Sequence, residues 1–339
     1  MSAVPRRRPA GEFELIRRFT RALPLRGEGV RVGVGDDAAV LAPPAGEELV
    51  ATADAVVAGV HFDRAFAPED VGWKALAVNL SDLAAMGARP LWALVCLGLP
   101  PDARPAAVAR IARGLGACAE RYRVAIAGGN VTRASELSVT VTAIGAVPEG
   151  RALLRSGARA GDLVLVTGTL GDAALGRLPG APAALVRRQR RPTPRLAAGR
   201  ALAGVARAAI DVSDGLVQDL DHLCAASQVG ARIGVADLPV SEAARRFARR
   251  GAAAAPRLAR RGDGVREAAL TGGEDYELVL AVAPALLPAA LAAAAKARTP
   301  VSVIGRFVRG RGVRVVAPTG ARIAVDVRGH DHLRTPTAL

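Results

Sequence analysis

The sequence predicts a protein of two domains in which helices and strands are mixed in both halves. Its 339 residues are enough for two domains with separate cores. Short aliphatic runs alternate with longer amphipathic stretches on both sides of Pro148–Gly161, a segment rich in glycine and arginine. We therefore expect an α+β domain at 1–148 and an α/β domain at 149–339.

The first domain is predicted to contain three helices and six strands. Helix 69–87 ends at a glycine and is followed by Pro90, and residues 138–146 alternate β-formers with smaller side chains. Residues 12–22 place apolar side chains at helical spacing. The helices are expected at 12–22, 69–87 and 102–122, and the strands at 30–34, 38–42, 49–53, 91–97, 124–127 and 138–146.

The second domain is predicted to alternate strands and helices to its end. One short helix is expected inside the proline-rich loop 179–194, and 251–264 is expected to be a flexible surface insertion. The other helices are expected at 171–178, 195–207, 216–227, 241–250 and 284–296, and the strands at 163–166, 208–212, 231–235, 275–282 and 301–308.

Composition argues against several classes of protein. The formal net charge is +15, but Lys74 and Lys296 are the only lysines and aromatic residues make up only 3% of the chain. Scattered arginines with few stacking platforms do not indicate a nucleic-acid-binding protein. Three widely spaced cysteines suit a reducing cytosol, and no apolar run is long enough for a membrane span. A cytoplasmic protein without a signal peptide is expected.

Acidic residues are concentrated in three windows that lack lysine and arginine. These windows lie between Arg31 and Arg64, between Arg207 and Arg232, and between Arg266 and Lys296. Carboxylates brought together in a fold repel one another unless cations lie between them. Clustered oxygen ligands suit magnesium bound jointly by carboxylates and a polyphosphate. The windows therefore favour such a site, although any single aspartate can equally be a solvated residue or a helix cap.

The helix containing Asn79-Leu80-Ser81-Asp82 carries polar residues in an apolar setting. Almost every residue from Ala75 to Ala88 is apolar or small, which predicts a helix buried on most sides. Asn79 and Asp82 share one face of it. A buried carboxylate needs a partner, which is either a metal ion or an arginine from elsewhere in the chain.

Two polar turns of the first domain have both a functional and a structural interpretation. Gly35-Asp36-Asp37 lies between two strands and indicates either a ligand site or an ordinary hairpin. Asp54 is expected at the end of a strand, a few residues before His61. A histidine in an acidic window favours a functional role over a purely structural one.

Three further motifs combine glycine with polar residues. Asp211-Val212-Ser213-Asp214-Gly215 precedes a helix, where Ser213 or Asp214 could serve as N-cap or where the free N–H groups could bind an anion. The pairs Gly128-Gly129 and Gly272-Gly273 are each followed by a polar residue. Glycine at such points lets a phosphate or a second strand approach closely.

Taken in order, these segments resemble the thiamine-monophosphate kinase family, most specifically at Asn79–Ala88 and Gly272–Leu278. The resemblance implies a homodimer whose N-terminal strands form a β-barrel across the interface, together with a C-terminal α/β domain. It also implies direct in-line transfer of the γ-phosphoryl group of ATP to thiamine monophosphate, assisted by several Mg²⁺ ions. No nucleic-acid or membrane partner is implied.

The resemblance also assigns residues by position. The implied magnesium ligands are Asp37, Thr52, Asp54, Asp82, Asn130, Asp211 and Asp214. The implied ATP contacts are Gly129, Asn130, Arg155 and Ser213. The implied contacts to the thiamine substrate are His61, Glu274 and His330, the last of which stands where the family has an aromatic residue. No general base is implied.

Two further positions depart from the family pattern. Asn130 follows Gly128-Gly129 where the family has an aspartate, and Ala53 replaces a hydroxyl residue before Asp54. Asparagine keeps an oxygen ligand but loses its charge, so a weaker magnesium site is expected. The alternative is a degenerate family member that binds nucleotide or thiamine phosphate without turnover.

Overall fold

The computed structural model describes residues 12–251 and 264–325. The chain divides into two compact units. The N-terminal unit comprises the residues up to Pro44 together with Ala51–Asn79 and Pro90–Ile144, and the C-terminal unit comprises Ala45–Val50, Leu80–Arg89 and the residues from Gly145 onwards. The expected mixture of helices and strands is confirmed in both halves.

Counted from residue 12, the first half of the chain contains three helices and six strands. The helices are α1 (Glu12–Thr20), α2 (Pro68–Ala85) and α3 (Pro105–Tyr122). The strands are β1 (Val30–Val32), β2 (Val40–Leu41), β3 (Glu47–Val57), β4 (Arg89–Leu99), β5 (Ala125–Arg133) and β6 (Ser138–Pro148). β1 and β2 form an antiparallel pair, and the other four strands form one sheet in the order β3-β6-β4-β5.

The second half is built on a seven-stranded sheet in the order β13-β12-β9-β11-β7-β10-β8. Its neighbouring strands pair antiparallel except β9 and β12, which are parallel. The strands are β7 (Leu163–Thr167), β8 (Ala208–Asp211), β9 (Gly230–Gly234), β10 (Leu278–Val282), β11 (Val301–Val308), β12 (Gly312–Val316) and β13 (Arg322–Ile323). The helices are α4 (Asp172–Gly176), α5 (Ala183–Arg190), α6 (Leu196–Leu202), α7 (Leu216–Ser227), α8 (Glu242–Gly251), α9 (Gly264–Thr271) and α10 (Leu287–Lys296).

The core of the C-terminal unit lies between its sheet and helix α7. Leu216, Leu220 and Leu223 are spaced to lie on one face of α7, and they belong to the same buried cluster as Ile210 of β8 and Ile233 of β9. The predicted bounds of α7 and β11 are confirmed, and so is a short helix within 179–194. This packing fixes the loop that joins β8 to α7.

Several strands are longer than the sequence predicts, and two of them extend through residues proposed for the site. β3 runs past Asp54 to Val57, and β5 continues through Gly129 and Asn130 to Arg133. The parallel ladder between β4 and β5 pairs Gly129 with Val95 and stays in register to the strand end. Strand pairing therefore overrides the weak β propensity of glycine, asparagine and aspartate at these points. The predicted strand ends at Asp54 and before Gly128 are wrong.

Several other expectations need adjustment. Strands β12 and β13 and helix α9 were not predicted. The expected insertion 251–264 falls almost wholly on 252–263, which lies outside the described residues. His330 also lies outside the described residues. Within the described residues, no helix has the length and apolar character needed to cross a bilayer.

Candidate functional site

In the C-terminal unit, the loop Asp211–Gly215 lies against the loop Gly272–Glu277. The N–H of Glu274 donates to the Ser213 carbonyl at 2.7 Å, and the N–H of Tyr276 donates to the Val212 carbonyl at 2.9 Å. A Cβ atom on Gly273 would lie 2.5 Å from the Ser213 carbonyl oxygen, so only glycine permits this approach. The two motifs that the sequence singles out therefore pack against each other and bring Ser213, Asp214 and Glu274 into one region of the C-terminal unit.

Helix α2 supplies a contact to the same loop. Ser81 is completely buried, and its Oγ donates a 2.7 Å hydrogen bond to Oδ2 of Asp211, which is 3% exposed. Asp82, the next residue, is half-buried. The expectation that the Asp82 carboxylate is deeply buried is therefore wrong, because the fully buried polar residues of this turn are Asn79 and Ser81.

Asp219, which the sequence analysis did not assign to the site, holds the start of helix α7. Its Oδ2 accepts hydrogen bonds from the N–H groups of Asp214 at 3.1 Å and Gly215 at 3.0 Å. The N-cap position is Gly215 and has no side-chain cap, so the expectation of Ser213 or Asp214 there is wrong. Burial, reinforced by the Asp214 charge, raises the pKa of Asp219 to about 7. Asp219 lies four residues after Gly215, and this i, i+4 spacing is the sequence feature that could have indicated the contact.

Glu274 lies in the loop that packs against Asp211–Gly215. It is 7% exposed and forms an ion pair with Arg177. Its backbone has φ +69°, and that of Tyr276 has φ +52°. Non-glycine residues adopt this region at an energetic cost, and such strain is concentrated at functional sites. The loop is thus fixed in a backbone conformation that is unfavourable for residues other than glycine.

Asp275 and Glu277, between which Tyr276 lies, point into the protein. The Asp275 carboxylate accepts hydrogen bonds from the N–H groups of Gly171 at 2.6 Å and Ala173 at 3.3 Å. Burial nevertheless raises the pKa of Asp275 to about 8. Asp275 therefore anchors the Glu274 loop to the turn that precedes α4.

Glu277 is the centre of a buried ionic cluster that the sequence analysis missed. It is completely buried and receives charged hydrogen bonds from Arg188 at 2.6 Å and from Arg195 at 2.5 and 2.6 Å. The hydroxyl of Thr167 donates to it at 2.7 Å. The cluster binds the segment around α5 to strand β10. Because Arg188 and Arg195 lie more than 80 residues before Glu277 in the chain, local spacing gave no signal of this pairing.

Arg155, which with Ser213 is an implied ATP contact in this unit, is exposed. Its carbonyl oxygen accepts a 2.9 Å hydrogen bond from Ser227 Oγ at the end of α7. This bond fixes the main chain at Arg155, from which its side chain extends. Because the side chain is exposed, its guanidinium group is accessible to a phosphate.

In the N-terminal unit, strand β3 carries Thr52 and Asp54. The buried side chain of Asn79 accepts a 3.0 Å hydrogen bond from the N–H of Asp54. Asp54 is exposed and Thr52 half-buried. The position of Asp54 is therefore determined by helix α2, which carries Asn79.

Gly129 and Asn130 lie on β5, which is the opposite edge strand to β3 in the described sheet. Both residues are exposed, and a Cβ atom on Gly129 would lie 1.9 Å from the Val95 carbonyl oxygen. Gly129 is thus required by the close packing of β4 against β5, whether or not a nucleotide is bound. The sheet order separates Asp54 from Asn130 by two intervening strands.

His61 and Asp37 lie in turns of the N-terminal unit. His61 Nδ1 accepts a 3.1 Å hydrogen bond from the N–H of Val57, so the proton of the neutral ring lies on Nε2. The His61 carbonyl accepts a bond at 3.0 Å from Lys74 Nζ, which is 1% exposed. Asp37 is exposed, and its N–H donates to Oδ1 of the preceding residue, Asp36, at 2.8 Å.

The possible metal ligands of the described residues are mainly oxygen atoms. Across residues 12–251 and 264–325, no group of three or more histidine, cysteine, aspartate or glutamate side chains is arranged to hold a metal ion. The donors present are carboxylates with some hydroxyl and amide oxygens, which is the chemistry that magnesium prefers over zinc or copper.

The chain matches known proteins over both halves. Residues 35–147 match the family model described as AIR synthase related protein, N-terminal domain, and residues 159–318 match the corresponding C-terminal domain. The chain is 41% identical to thiamine-monophosphate kinase of Escherichia coli K12 over 337 residues, covering 96% of this chain and 99% of that protein.

Solved structures give the same result. The crystal structure of thiamine-monophosphate kinase from Stenotrophomonas maltophilia is 42% identical, with a TM-score of 0.78 over 89% of this chain and 95% of that one. A structure described as AaThiL complexed with AMPPCP and TMP is 31% identical, with a TM-score of 0.73 over 95% of this chain and 97% of that one. The chain therefore belongs to the thiamine-monophosphate kinase family, whose two halves match the AIR synthase related domains.

Proposed function

We propose that this chain transfers the γ-phosphoryl group of ATP to the phosphate of thiamine monophosphate, forming ADP and thiamine diphosphate. The observation that carries the proposal is 41% identity to thiamine-monophosphate kinase across nearly the whole length of both chains. The likeness to a structure that contains AMPPCP and TMP supports ATP and thiamine monophosphate as the ligands.

The acceptor is a phosphate oxygen that is already ionised at neutral pH, so the chain need not supply a general base. What the reaction requires is that two anionic phosphates be held together in line. When bound, Mg²⁺ supplies the positive charge that offsets their repulsion. The proposed ligands to several such ions are Asp37, Thr52, Asp54, Asp82, Asn130, Asp211 and Asp214.

The donor set fits a metal of this kind. Magnesium commonly takes one or two carboxylates and completes its octahedron with water and substrate phosphate oxygens. The chain therefore need not build a closed cage of acidic side chains. Ser81 and Asn79, by bonding to Asp211 and to the backbone of Asp54, hold two of the proposed ligands in place.

The remaining assignments concern the two substrates. Gly129, Asn130, Arg155 and Ser213 are proposed to contact ATP. His61 and Glu274 are proposed to contact thiamine monophosphate, as is His330, which lies outside the described residues. His61 is held through its Nδ1, which accepts the hydrogen bond from the N–H of Val57. Glu274 is fixed by Arg177 and by its strained loop.

We also propose that the chain acts as a homodimer whose N-terminal strands complete a barrel. The four-stranded sheet ends in β3 and β5 within the described residues, and β3 has 11 residues with Leu49 48% exposed. A long, partly apolar edge strand readily pairs with a second chain. The domain boundary is placed after residue 148, which the matched ranges 35–147 and 159–318 support.

The test is ADP release from ATP in the presence of thiamine monophosphate and Mg²⁺, with the product identified chromatographically. Thiamine diphosphate formed in amounts equal to ADP is the expected result. The matched control is Asp211→Asn, which should lose turnover while remaining folded. Free phosphate as the product, or intact ligand binding without ADP release, would contradict the proposal.

A further inference from the structure

The C-terminal unit has an open groove that none of the residues proposed for catalysis lines. Its volume is about 780 Å³, which is within the range of pockets that bind small ligands. All of its lining residues belong to the C-terminal unit, from strand β3 near Glu47 to the end of helix α10 near Ala297. The groove is therefore a feature of one compact unit.

Basic side chains dominate the polar lining of this groove. Arg89, Arg151, Arg200 and Lys296 line it together with a single carboxylate, that of Glu47. Glu47 is already paired with Arg89 at 3.0 Å. Over the ranges 12–251 and 264–325, no carboxylate lies within ion-pair distance of Arg151, Arg200 or Lys296. The groove thus carries three positive charges that the described part of the chain does not neutralise.

These three cations come from separate elements. Arg200 and Lys296 lie in the last turns of α6 and α10, where a positive charge also favours the helix itself. That explanation does not extend to Arg151, which follows β6 in a turn closed by its own N–H to the Pro148 carbonyl at 3.0 Å. Three elements with unrelated local requirements therefore present a cation to one space.

Apart from the charged side chains, the groove is lined mainly by small residues, which we call its floor. Gly87, Ala146, Ala197, Ala201, Ala203 and Gly204 all line it. Short side chains leave the space open and give a mainly apolar surface between the charged groups. Such a surface accommodates a flat organic group, while the guanidinium and ammonium groups of the lining bind phosphate oxygens.

We propose that this groove binds a small molecule that carries a diphosphate group, through Arg151, Arg200 and Lys296. Three uncompensated cations match the charge of a diphosphate better than that of a single carboxylate. Among the described residues that line the groove there is no unpaired carboxylate to hold a metal ion, so its ligand binds as the free anion. This metal independence separates it from the proposed catalytic site and makes the two experimentally distinguishable.

The experiment measures ligand binding to the full chain by calorimetry in EDTA at low ionic strength. Inorganic pyrophosphate, ADP and thiamine diphosphate are the probes. We expect one equivalent to bind per chain, and about tenfold weaker binding by Arg151→Ala/Arg200→Ala, which loses two charge-assisted contacts. Lys296→Gln alone should weaken binding about threefold. Tighter binding of ADP or thiamine diphosphate than of pyrophosphate would show that the organic group occupies the floor, whereas equal affinity would assign the site to the diphosphate alone.

Two controls separate this site from its alternatives. Arg309→Ala removes an exposed arginine of the same unit outside the groove and should leave the affinity unchanged. Asp211→Asn should also bind normally in EDTA, even where it abolishes turnover. Absence of metal-free binding by the wild-type chain overturns the proposal. Equal losses in Arg309→Ala and in the double variant also overturn it, because they would indicate only a general effect of net charge. Circular dichroism verifies the fold of each variant. If the double variant is unfolded, Lys296→Gln takes its place in the test, and unchanged binding by Lys296→Gln then overturns the proposal.

Discussion

The hydroxyl of Ser81 donates to the carboxylate of Asp211 across 2.7 Å, and both side chains are almost completely removed from solvent. The two residues are 130 positions apart in the chain. This hydrogen bond joins the end of helix α2 to the loop that carries Ser213 and Asp214, within the C-terminal unit. It thus supports a proposed metal ligand by means of a residue that is not itself among the proposed metal ligands or substrate contacts.

Replacing Ser81 by alanine should therefore affect both stability and metal use. The lost bond is expected to cost about 1–2 kcal/mol of unfolding free energy and to raise the Mg²⁺ concentration for half-maximal turnover several-fold. Urea unfolding and a magnesium titration of ADP release measure the two effects. Ser241→Ala is the matched control, since Ser241 Oγ donates to Asp172 at 2.6 Å outside the proposed metal site. Equal magnesium dependence in the two variants would contradict a positioning role for Ser81.

Asn130→Asp should strengthen the use of magnesium. The substitution adds a negative charge at an exposed position on strand β5, where the resemblance described above implies an aspartate. The Mg²⁺ concentration for half-maximal turnover is expected to fall by about three- to tenfold, since a carboxylate binds a hard cation better than an amide does. An unchanged magnesium dependence would show that position 130 does not take part in metal binding.

Regular elements and the separate acidic motifs could be predicted from the sequence because their signals are local. Helix α7 follows from the spacing of its leucines, and the polar turns follow from glycine next to aspartate. The Ser81–Asp211 bond and the two arginines around Glu277 could not be predicted in this way. They depend on contacts between residues 80 or more positions apart, which one sequence without its fold does not specify.

The errors also have a physical cause. Asp54 and Gly129 are residues that usually interrupt strands, yet both lie inside strands because a neighbour satisfies the backbone: Asn79 accepts from Asp54, and strand β4 pairs with β5. Burial of Asp82 was overestimated because apolar neighbours in the sequence do not determine which side of α2 faces solvent.

Asp275 should make stability fall as the pH rises. Burial raises its pKa from 3.8 to about 8, so the folded chain retains a proton there that the unfolded chain has already lost. The stabilisation due to this group is complete below about pH 4 and disappears as the pH approaches 8. Asp275→Asn, which stays neutral, should lack this component, which amounts to about 1.4 kcal/mol per pH unit over this range. Denaturant unfolding of both proteins at intervals from pH 5 to 8 tests this, and parallel pH profiles would contradict the assignment.

Glu277→Gln should be among the more destabilising single substitutions in the C-terminal unit. It leaves Arg188 and Arg195, whose side chains are only 20% and 17% exposed, without the carboxylate that neutralises them. Removing one partner of a buried ionic cluster costs about 3 kcal/mol or more, because the remaining charges have lost most of their hydration.

A surface cluster of similar composition provides the comparison for Glu277. Glu69 is bound by Arg110 and Arg113, whose side chains are 46% and 57% exposed, and the hydrogen bond from Arg110 lowers the pKa of Glu69 to about 2. Because solvent screens this cluster, Glu69→Gln should cost less than about 1 kcal/mol at neutral pH. Urea unfolding of both variants measures the difference. Equal losses would mean that the Glu277 cluster is hydrated in solution and that the segment around α5 is held to β10 by apolar contacts instead.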